Sequence, residues 1–380
     1  MTEVTNNQEN RVRVMVVDDS ALMRKLLSEA LRRDPGIEVV DTAMDGQFAL
    51  DHLARLVPDV VLMDVDMPRL DGLAALERIV ADYSLPVVMC SAQTTQGAEA
   101  TIQALARGAV DFIEKPTLAA LSSGAAAIEI GAKVRGAKNA RVRANRIYKP
   151  APVPQAKENQ AIHLSTDSIQ NRKWQSQVEG MLRTVKPELI ALGTSTGGPP
   201  ALQQVLSGLP ADFPLGIVIV QHMPPGFTQQ LANHLDRTSQ ITVREAQDCE
   251  PVMPGVALVA PGGTHLLVKR AGDGYIVKVD GLTAAVNSHR PSVDVLFDSV
   301  ASSSNGRAAG FLMTGMGSDG AEGLGRLTLS GAITGAQTPD SCVCHGMPKS
   351  AIDRGHARVV IPLDSIALAM LACASVSRVA

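Results

Sequence analysis

The sequence predicts an α/β protein built from two doubly wound parallel-sheet domains, and three observations carry that prediction. Between Val12 and Ile113 apolar runs of strand type alternate five times with helix-type segments. Acidic, hydroxyl and basic residues stand at the ends of those runs. The stretch Leu189–Gly198 then starts a second series, with an apolar run, a glycine-punctuated turn and a helix start at Pro199-Pro200-Ala201-Leu202. Alternation of this kind implies a parallel sheet covered by helices, with its site beyond the carboxyl ends of the strands.

The bulk properties set limits on function. A chain of 380 residues has room for two or three domains, each with its own core, and a net charge of −3 gives no sign of a nucleic-acid binder. Cys90, Cys249, Cys342, Cys344 and Cys373 are few, odd in number and scattered, as in a reducing cytoplasm. Thr2 to Arg11 is polar and lacks a signal-peptide core. The apolar tail Ile361–Ala374 is broken by Asp364 and too short for a bilayer, so a core helix is expected there.

In the first domain, Val12–Val17 is a strand leading through Asp18-Asp19-Ser20 into a helix from Ala21 to Arg33. The cycle repeats with Ile37–Thr42 and Gly46–Leu56, then with the strand Val60–Met63 ending at Asp64. Strands at Val87–Cys90 and Val110–Ile113 complete it. The strand ends carry Asp18 and Asp19, then Asp64, Ser91 and Lys115. Alone, Asp19 reads as a helix cap. Three carboxylates brought together repel one another, and a hard divalent cation with oxygen ligands, such as Mg2+, resolves that repulsion.

This set resembles a response-regulator receiver domain over residues 11–131. The resemblance implies that Asp64 is the phosphoacceptor and that Asp18, Asp19 and Asp64 hold Mg2+ together with the backbone carbonyl of Asp66. It also implies that Ser91 and Lys115 contact the phosphoryl group, and that Phe112 stands at the aromatic switch position.

Residues 132–184 read as a connector. Lys133, Arg135, Lys138, Arg141, Arg143, Arg146 and Lys149 form a basic run, followed by Pro150-Ala151-Pro152-Val153-Pro154. A charge run of this kind reads first as a solvated helix end leading into a flexible linker.

The second domain is expected over residues 185–376. Leu189–Leu192 leads to Ser195 within the G-x-S-x-G pattern Gly193–Gly197, and a serine at such a corner faces outward beside free helix N–H groups. Leu215–Val220 ends at Gln221-His222, Val256–Ala260 at Pro261, and Ala308–Met313 runs into Thr314–Gly320 with Asp319. Leu266–Val268 and Tyr275–Val279 flank Gly272-Asp273-Gly274, an edge hairpin.

Ser195, His222 and Asp319 thus each follow a strand, and together they supply a hydroxyl, a base and a carboxylate to orient the base. His234, His265, His289 and His345 compete with His222 on sequence alone. Gly315–Gly320 also spells G-x-G-x-x-G with Asp340 beyond it, as in dinucleotide-binding folds. Asp319 would then place negative charge inside the pyrophosphate turn, and too little chain follows for the remaining strands.

The motifs Gly193–Gly198, Gln221-His222-Met223-Pro224, His289–Asp294, Thr314–Gly320 and Gly346-Met347-Pro348 resemble the effector domain of the chemotaxis protein-glutamate methylesterase family. Receiver, connector and effector follow that family's order over nearly the whole chain. The resemblance implies a phosphorylation-activated serine hydrolase that demethylates glutamate methyl esters, and deamidates glutamines, on methyl-accepting chemotaxis receptors, with a chemotaxis histidine kinase as phosphodonor.

Ser195 would be the nucleophile, His222 the base and Asp319 its partner, with Thr196 and Met316 beside the oxyanion. The effector domain would need no cofactor. The protein would be cytoplasmic, peripheral to receptor arrays and not inserted in the membrane, and its unphosphorylated receiver would cover the active site. Thr194 in place of the usual alanine, Gln337-Thr338-Pro339-Asp340 and His345 depart from the family pattern.

Overall fold

The computed structural model describes residues 11–92, 94–138, 140 and 169–375. The first domain comprises β1 (Val12–Val17), α1 (Ala21–Arg32), β2 (Ile37–Ala43), α2 (Gly46–Leu53), β3 (Val60–Asp64), α3 (Gly72–Arg78), β4 (Val87–Ser91), α4 (Thr95–Ala106), β5 (Asp111–Glu114), α5 (Leu118–Ser123) and α6 (Ala125–Lys138). Its five strands are parallel in the order β2-β1-β3-β4-β5. The central strands β3 and β4 are buried at every position, which explains their unbroken apolar spelling: helices cover both faces. The cap of α1 is Ser20, whose hydroxyl accepts from Met23 N. Asp19 is therefore not spent as a cap.

The second domain continues with α7 (Ile169–Leu182), β6 (Leu189–Thr194), α8 (Gly198–Ser207), β7 (Gly216–Gln221), α9 (Phe227–Thr238), β8 (Thr242–Glu245), β9 (Val256–Val259), β10 (His265–Ala271), β11 (Gly274–Asp280), α10 (Val293–Ser304), β12 (Ala308–Leu312), α11 (Ala321–Leu329), β13 (Ile333–Gln337), α12 (Gly346–Asp353), β14 (Val359–Ile361) and α13 (Leu363–Ser375). Seven parallel strands run in the order β14-β13-β12-β6-β7-β9-β8. The strands that lead to Ser195, His222 and Asp319, namely β6, β7 and β12, are adjacent at its centre. The turn after β6 demands glycine twice. Gly197 has φ 74°, and a Cβ on Gly198 would lie 1.9 Å from Gln221 Oε1.

Three expectations are corrected. The hairpin β10-β11 forms its own two-stranded sheet against α10 and not an edge of the large sheet. The first domain extends past 131, because α6 continues to Lys138 and buries Val134 and Ala137 in that domain's core. The end of the expected connector is likewise folded: α7 buries Trp174 and Val178 in a core shared with α13. Part of the basic run is paired on the receiver, Lys133 with Asp111, Arg135 with Asp34 and Lys138 with Asp59, so those charges fasten a helix down. Arg141, Arg143, Arg146, Lys149 and Pro150–Pro154 lie outside the described residues.

The two domains touch. Helix α4 lies against α8 and α9, Phe112 of β5 stacks on Phe227 of α9 with centroids 4.7 Å apart, and Gly197 N donates to Val110 O at 3.2 Å. Among the described residues no helix is long and apolar enough to cross a membrane.

Candidate active site

Two clusters form at the carboxyl edges of the two sheets. In the first, Asp18 follows β1 and Asp64 ends β3, so adjacent strands bring them together with Asp19, their carboxylate oxygens within 4.8 Å of one another. Lys115, just beyond β5, reaches Asp64 Oδ2 at 2.7 Å and Asp18 Oδ2 at 3.5 Å. Burial pushes the Asp64 carboxyl up to about 6 even though Lys115 opposes it. Asp18 Oδ1 accepts Ser20 N at 2.9 Å, but its buried Oδ2 has no hydrogen-bond partner. A buried carboxylate oxygen left over beside two further carboxylates suits a hard cation, so the residues present fit Mg2+.

Asp66 is exposed, and its N–H lies 3.4 Å from Asp64 Oδ1. Its side chain is not part of the carboxylate cluster. The Ser91 hydroxyl donates to Gly97 O at 2.9 Å, and Phe112 is buried.

In the second cluster the strand register sets the geometry. Thr194 pairs with Gln221 across β6 and β7, so the next residues, Ser195 and His222, leave neighbouring strands side by side. Gln221 ties them together, its Nε2 donating to Ser195 O at 3.0 Å and to His222 O at 3.1 Å. The Thr194 hydroxyl fixes that carboxamide through Gln221 Oε1 at 2.7 Å, which gives the departure from alanine a structural use.

Asp319 Oδ2 lies 2.8 Å from His222 Nε2. Asp319 also accepts from Asn287 Nδ2 at 2.9 Å, Ser292 Oγ at 2.8 Å and Val293 N at 2.6 Å. Burial works against its charge, but the bond to His222 and these donors hold the carboxyl well below the usual range. A carboxylate only accepts, so Nε2 of His222 carries the hydrogen and Nδ1 offers the lone pair. That Nδ1 is buried without a hydrogen-bond partner. Among the described residues no hydrogen bond joins it to the Ser195 hydroxyl; in resting enzymes such contacts are often long and tighten with substrate.

Thr196 and Met316 stand at the same edge. Ser195 N donates to Thr314 O at 2.9 Å, and the Thr314 hydroxyl donates to Thr196 O at 2.9 Å, which locks the two turns together. The receiver lies on both residues. Thr196 Oγ1 donates to Asp111 Oδ2 at 2.5 Å, and the place a Gly136 Cβ would take is 2.5 Å from Met316 Sδ.

The competing histidines have other duties. His265 is fully buried between Ala284 O and Ser292 N, His234 faces Gln203, and His345 precedes α12. His289 alone joins the site, its ring stacked on His222 with centroids 3.8 Å apart and planes 8° from parallel. Burial, with His222 adding, pushes its pKa down to about 4. Sequence reasoning missed Asn287, which no spacing marked, and Asp111, whose partner Thr196 lies in the other domain. Ser292 was within reach through the motif it shares with His289.

With this geometry in place, comparisons with known proteins converge. The family model described as CheB methylesterase matches residues 190–370, and that described as Response regulator receiver domain matches residues 14–123. The protein-glutamate methylesterase/protein-glutamine glutaminase 2 of Pseudomonas aeruginosa is 45% identical over 361 residues, covering 95% of this chain and 96% of its own. The corresponding protein of Symbiobacterium thermophilum is 45% identical over 367 residues, covering 96% and 97%. The crystal structure of the Thermotoga maritima CheB methylesterase catalytic domain is 40% identical, covering 49% of this chain and 98% of that one, with a TM-score of 0.48.

Proposed function

The chain belongs to the CheB methylesterase family, and from that premise we propose how its residues divide the work of a receiver-controlled esterase. It is a protein-glutamate methylesterase and protein-glutamine glutaminase regulated by phosphorylation in chemotaxis. The observation that carries the catalytic assignment is the His222–Asp319 pair, oriented at the end of the strand beside Ser195 with Nδ1 of His222 unspent.

In this reading the Ser195 oxygen attacks the ester carbonyl carbon of a methylated receptor glutamate while His222 Nδ1 takes the serine proton. Asp319 keeps Nε2–H in place and stabilises the imidazolium. The backbone N–H groups of Thr196 and Met316 donate to the oxyanion. His222 returns its proton to the departing methoxide oxygen, methanol leaves, and a water activated by the same nitrogen hydrolyses the acyl-serine to restore glutamate. A receptor glutamine follows the same path with ammonia leaving.

Control belongs to the receiver, taken here as residues 11–138. An oxygen of Asp64 attacks the phosphorus of a phosphohistidine on the phosphodonor, a chemotaxis histidine kinase; the P–N bond breaks, the imidazole leaves and takes up a proton from solvent, and Lys115 and the Ser91 hydroxyl take up the charge of the transferred group. Mg2+, held by Asp18, Asp19, Asp64 and the Asp66 carbonyl, supplies neutralising charge when bound. Phosphorylation biases the contacts of Asp111, Phe112 and Gly136 with the effector domain toward separation. The protein works in the cytoplasm, peripheral to the receptor array, without nucleic acid.

The test is methanol release from methyl-labelled receptor membranes, with and without acetyl phosphate and magnesium. Release that rises with the donor in the natural chain and fails to rise in Asp64→Ala is the expected result. Silence from the whole chain and from a folded fragment beginning at residue 169 would leave a receiver-controlled binding protein instead.

A further inference from the structure

We propose that Asn287 is a positioning residue of the esterase site: its carboxamide clamps Asp319 to a second buried carboxylate, Asp294, and thereby fixes the orientation in which Asp319 holds His222. The proposal rests on the assignment of Ser195, His222 and Asp319 made above.

The geometry uses the amide completely. Asn287 Nδ2 lies 2.9 Å from Asp319 Oδ1 and 2.7 Å from Asp294 Oδ2. An amide nitrogen has two hydrogens, and a carboxylate offers only lone pairs, so the nitrogen and not the oxygen must face the two acids. Asp294 is itself fastened, with Oδ1 accepting Gly323 N at 2.6 Å at the start of α11. The clamp therefore joins the triad carboxylate to the first turn of α11 through two side chains, Asn287 and Asp294.

The electrostatics call for such a donor. Burial pushes the Asp294 carboxyl up to about 6, and the charge of Asp319 adds to that push. Two buried carboxylates close together repel, and a neutral donor between them lets both remain ionised at neutral pH. Arg326 and Asp298 act on Asp294 with opposite signs, and His222 and His289 interact with Asp319.

The backbone delivers the side chain. Val286 and His289 exchange N–H to O bonds of 3.0 and 2.9 Å, and the two residues between them, Asn287 and Ser288, have φ of 51° and 66°. Both corner residues in the left-handed region make this the tight turn that favours asparagine. One turn thus sends Asn287 to Asp319 and, on its closing residue, lays the His289 ring on His222. Asn287 itself is exposed, so truncating it opens no core cavity.

The experiment uses the full chain and methyl-labelled receptor membranes. Asn287→Gly keeps the left-handed turn and removes the clamp; Asn287→Asp keeps the shape and replaces the donor by a third carboxylate. Each is made alone, and Asn287→Gly is also made in an Asp319→Ala background. The expected result is a fall in kcat of about tenfold to a hundredfold in Asn287→Gly, with KM unchanged and the chain still folded at the assay temperature, a larger fall in Asn287→Asp, and no further loss in the Asp319→Ala background. Full activity in Asn287→Gly, or the same loss whether or not Asp319 is present, overturns the clamp while leaving the esterase reading intact. Silence of the natural chain overturns both.

Discussion

Both reactive clusters sit at the carboxyl edge of a parallel sheet and both are organised around aspartate, yet their aspartates are treated in opposite ways. Asp319 accepts from His222, Asn287, Ser292 and Val293 N, and its acidity is strengthened. Asp64 and Asp18 share one lysine, leave Asp18 Oδ2 without a hydrogen bond, and have their carboxyls pushed up by burial. The contrast separates two uses of one side chain. A carboxylate that must orient a base is saturated with donors, because any free lone pair would let it turn. A carboxylate that must take a cation or a phosphoryl group keeps lone pairs in hand and tolerates the cost of burying them.

The harshest way to probe the saturated site is to remove its reacting atoms. Ser195→Ala should lower methanol release by roughly 10⁴-fold or more, His222→Ala by about as much, and the pair together no further, since such residues act as a unit. Near-normal turnover in Ser195→Ala ends the hydrolase assignment. The unsaturated site is probed by Asp64→Ala, which should lose the whole response to acetyl phosphate. A response that survives would mean that some group other than Asp64 accepts the phosphoryl.

The contrast also explains what the sequence disclosed. The placement of Asp18, Asp64, Ser195, His222 and Asp319 at one edge of each sheet was legible from the alternation, while the choice of His222 over the other histidines leaned on the family resemblance. The supports were not legible. Asn287 reaches Asp319 from 32 positions away, and Asp111 reaches Thr196 from 85 positions away, across the domain boundary. No local period encodes either contact. The strands β8, β13 and β14 escaped for another reason: they are 4, 5 and 3 residues long, and Ile333–Gln337 mixes Thr, Gly and Gln into its buried run. The connector was read as solvent-facing because its charges were counted without their partners, three of which are aspartates of the receiver.

Between the two sites lies the contact of Thr196 with Asp111, and it offers a smaller effect. That bond exists only while the domains are docked, so removing it shifts the balance toward the separated form. Asp111→Ala should raise methanol release by the unphosphorylated chain by roughly tenfold to a hundredfold, the worth of one hydrogen bond to a charged group. A basal rate that stays flat would show that the receiver is held on the effector domain by its other contacts, the packing of Phe112 on Phe227 and of α4 on α8 and α9 and the Gly197–Val110 hydrogen bond.

The finest probe asks whether the ring beside His222 is held neutral. Burial puts His289 at about 4, and an unfolded histidine titrates near 6.5, so between those values the unfolded chain binds the extra proton. Stability contributed by this group is therefore full above about 6.5 and is lost as pH falls toward 4. Asp294, raised to about 6, acts with the opposite sign over an overlapping range, because there the folded state binds the proton first. Only a difference measurement separates the two. Melting temperatures of the natural chain and His289→Gln, taken at pH 7 and pH 4.5, should show the smaller acid loss in the variant. Equal losses would mean that His289 takes its proton with the fold intact, in which case the surroundings of Asp319 include a cation and its saturation by neutral donors is no longer what fixes its charge.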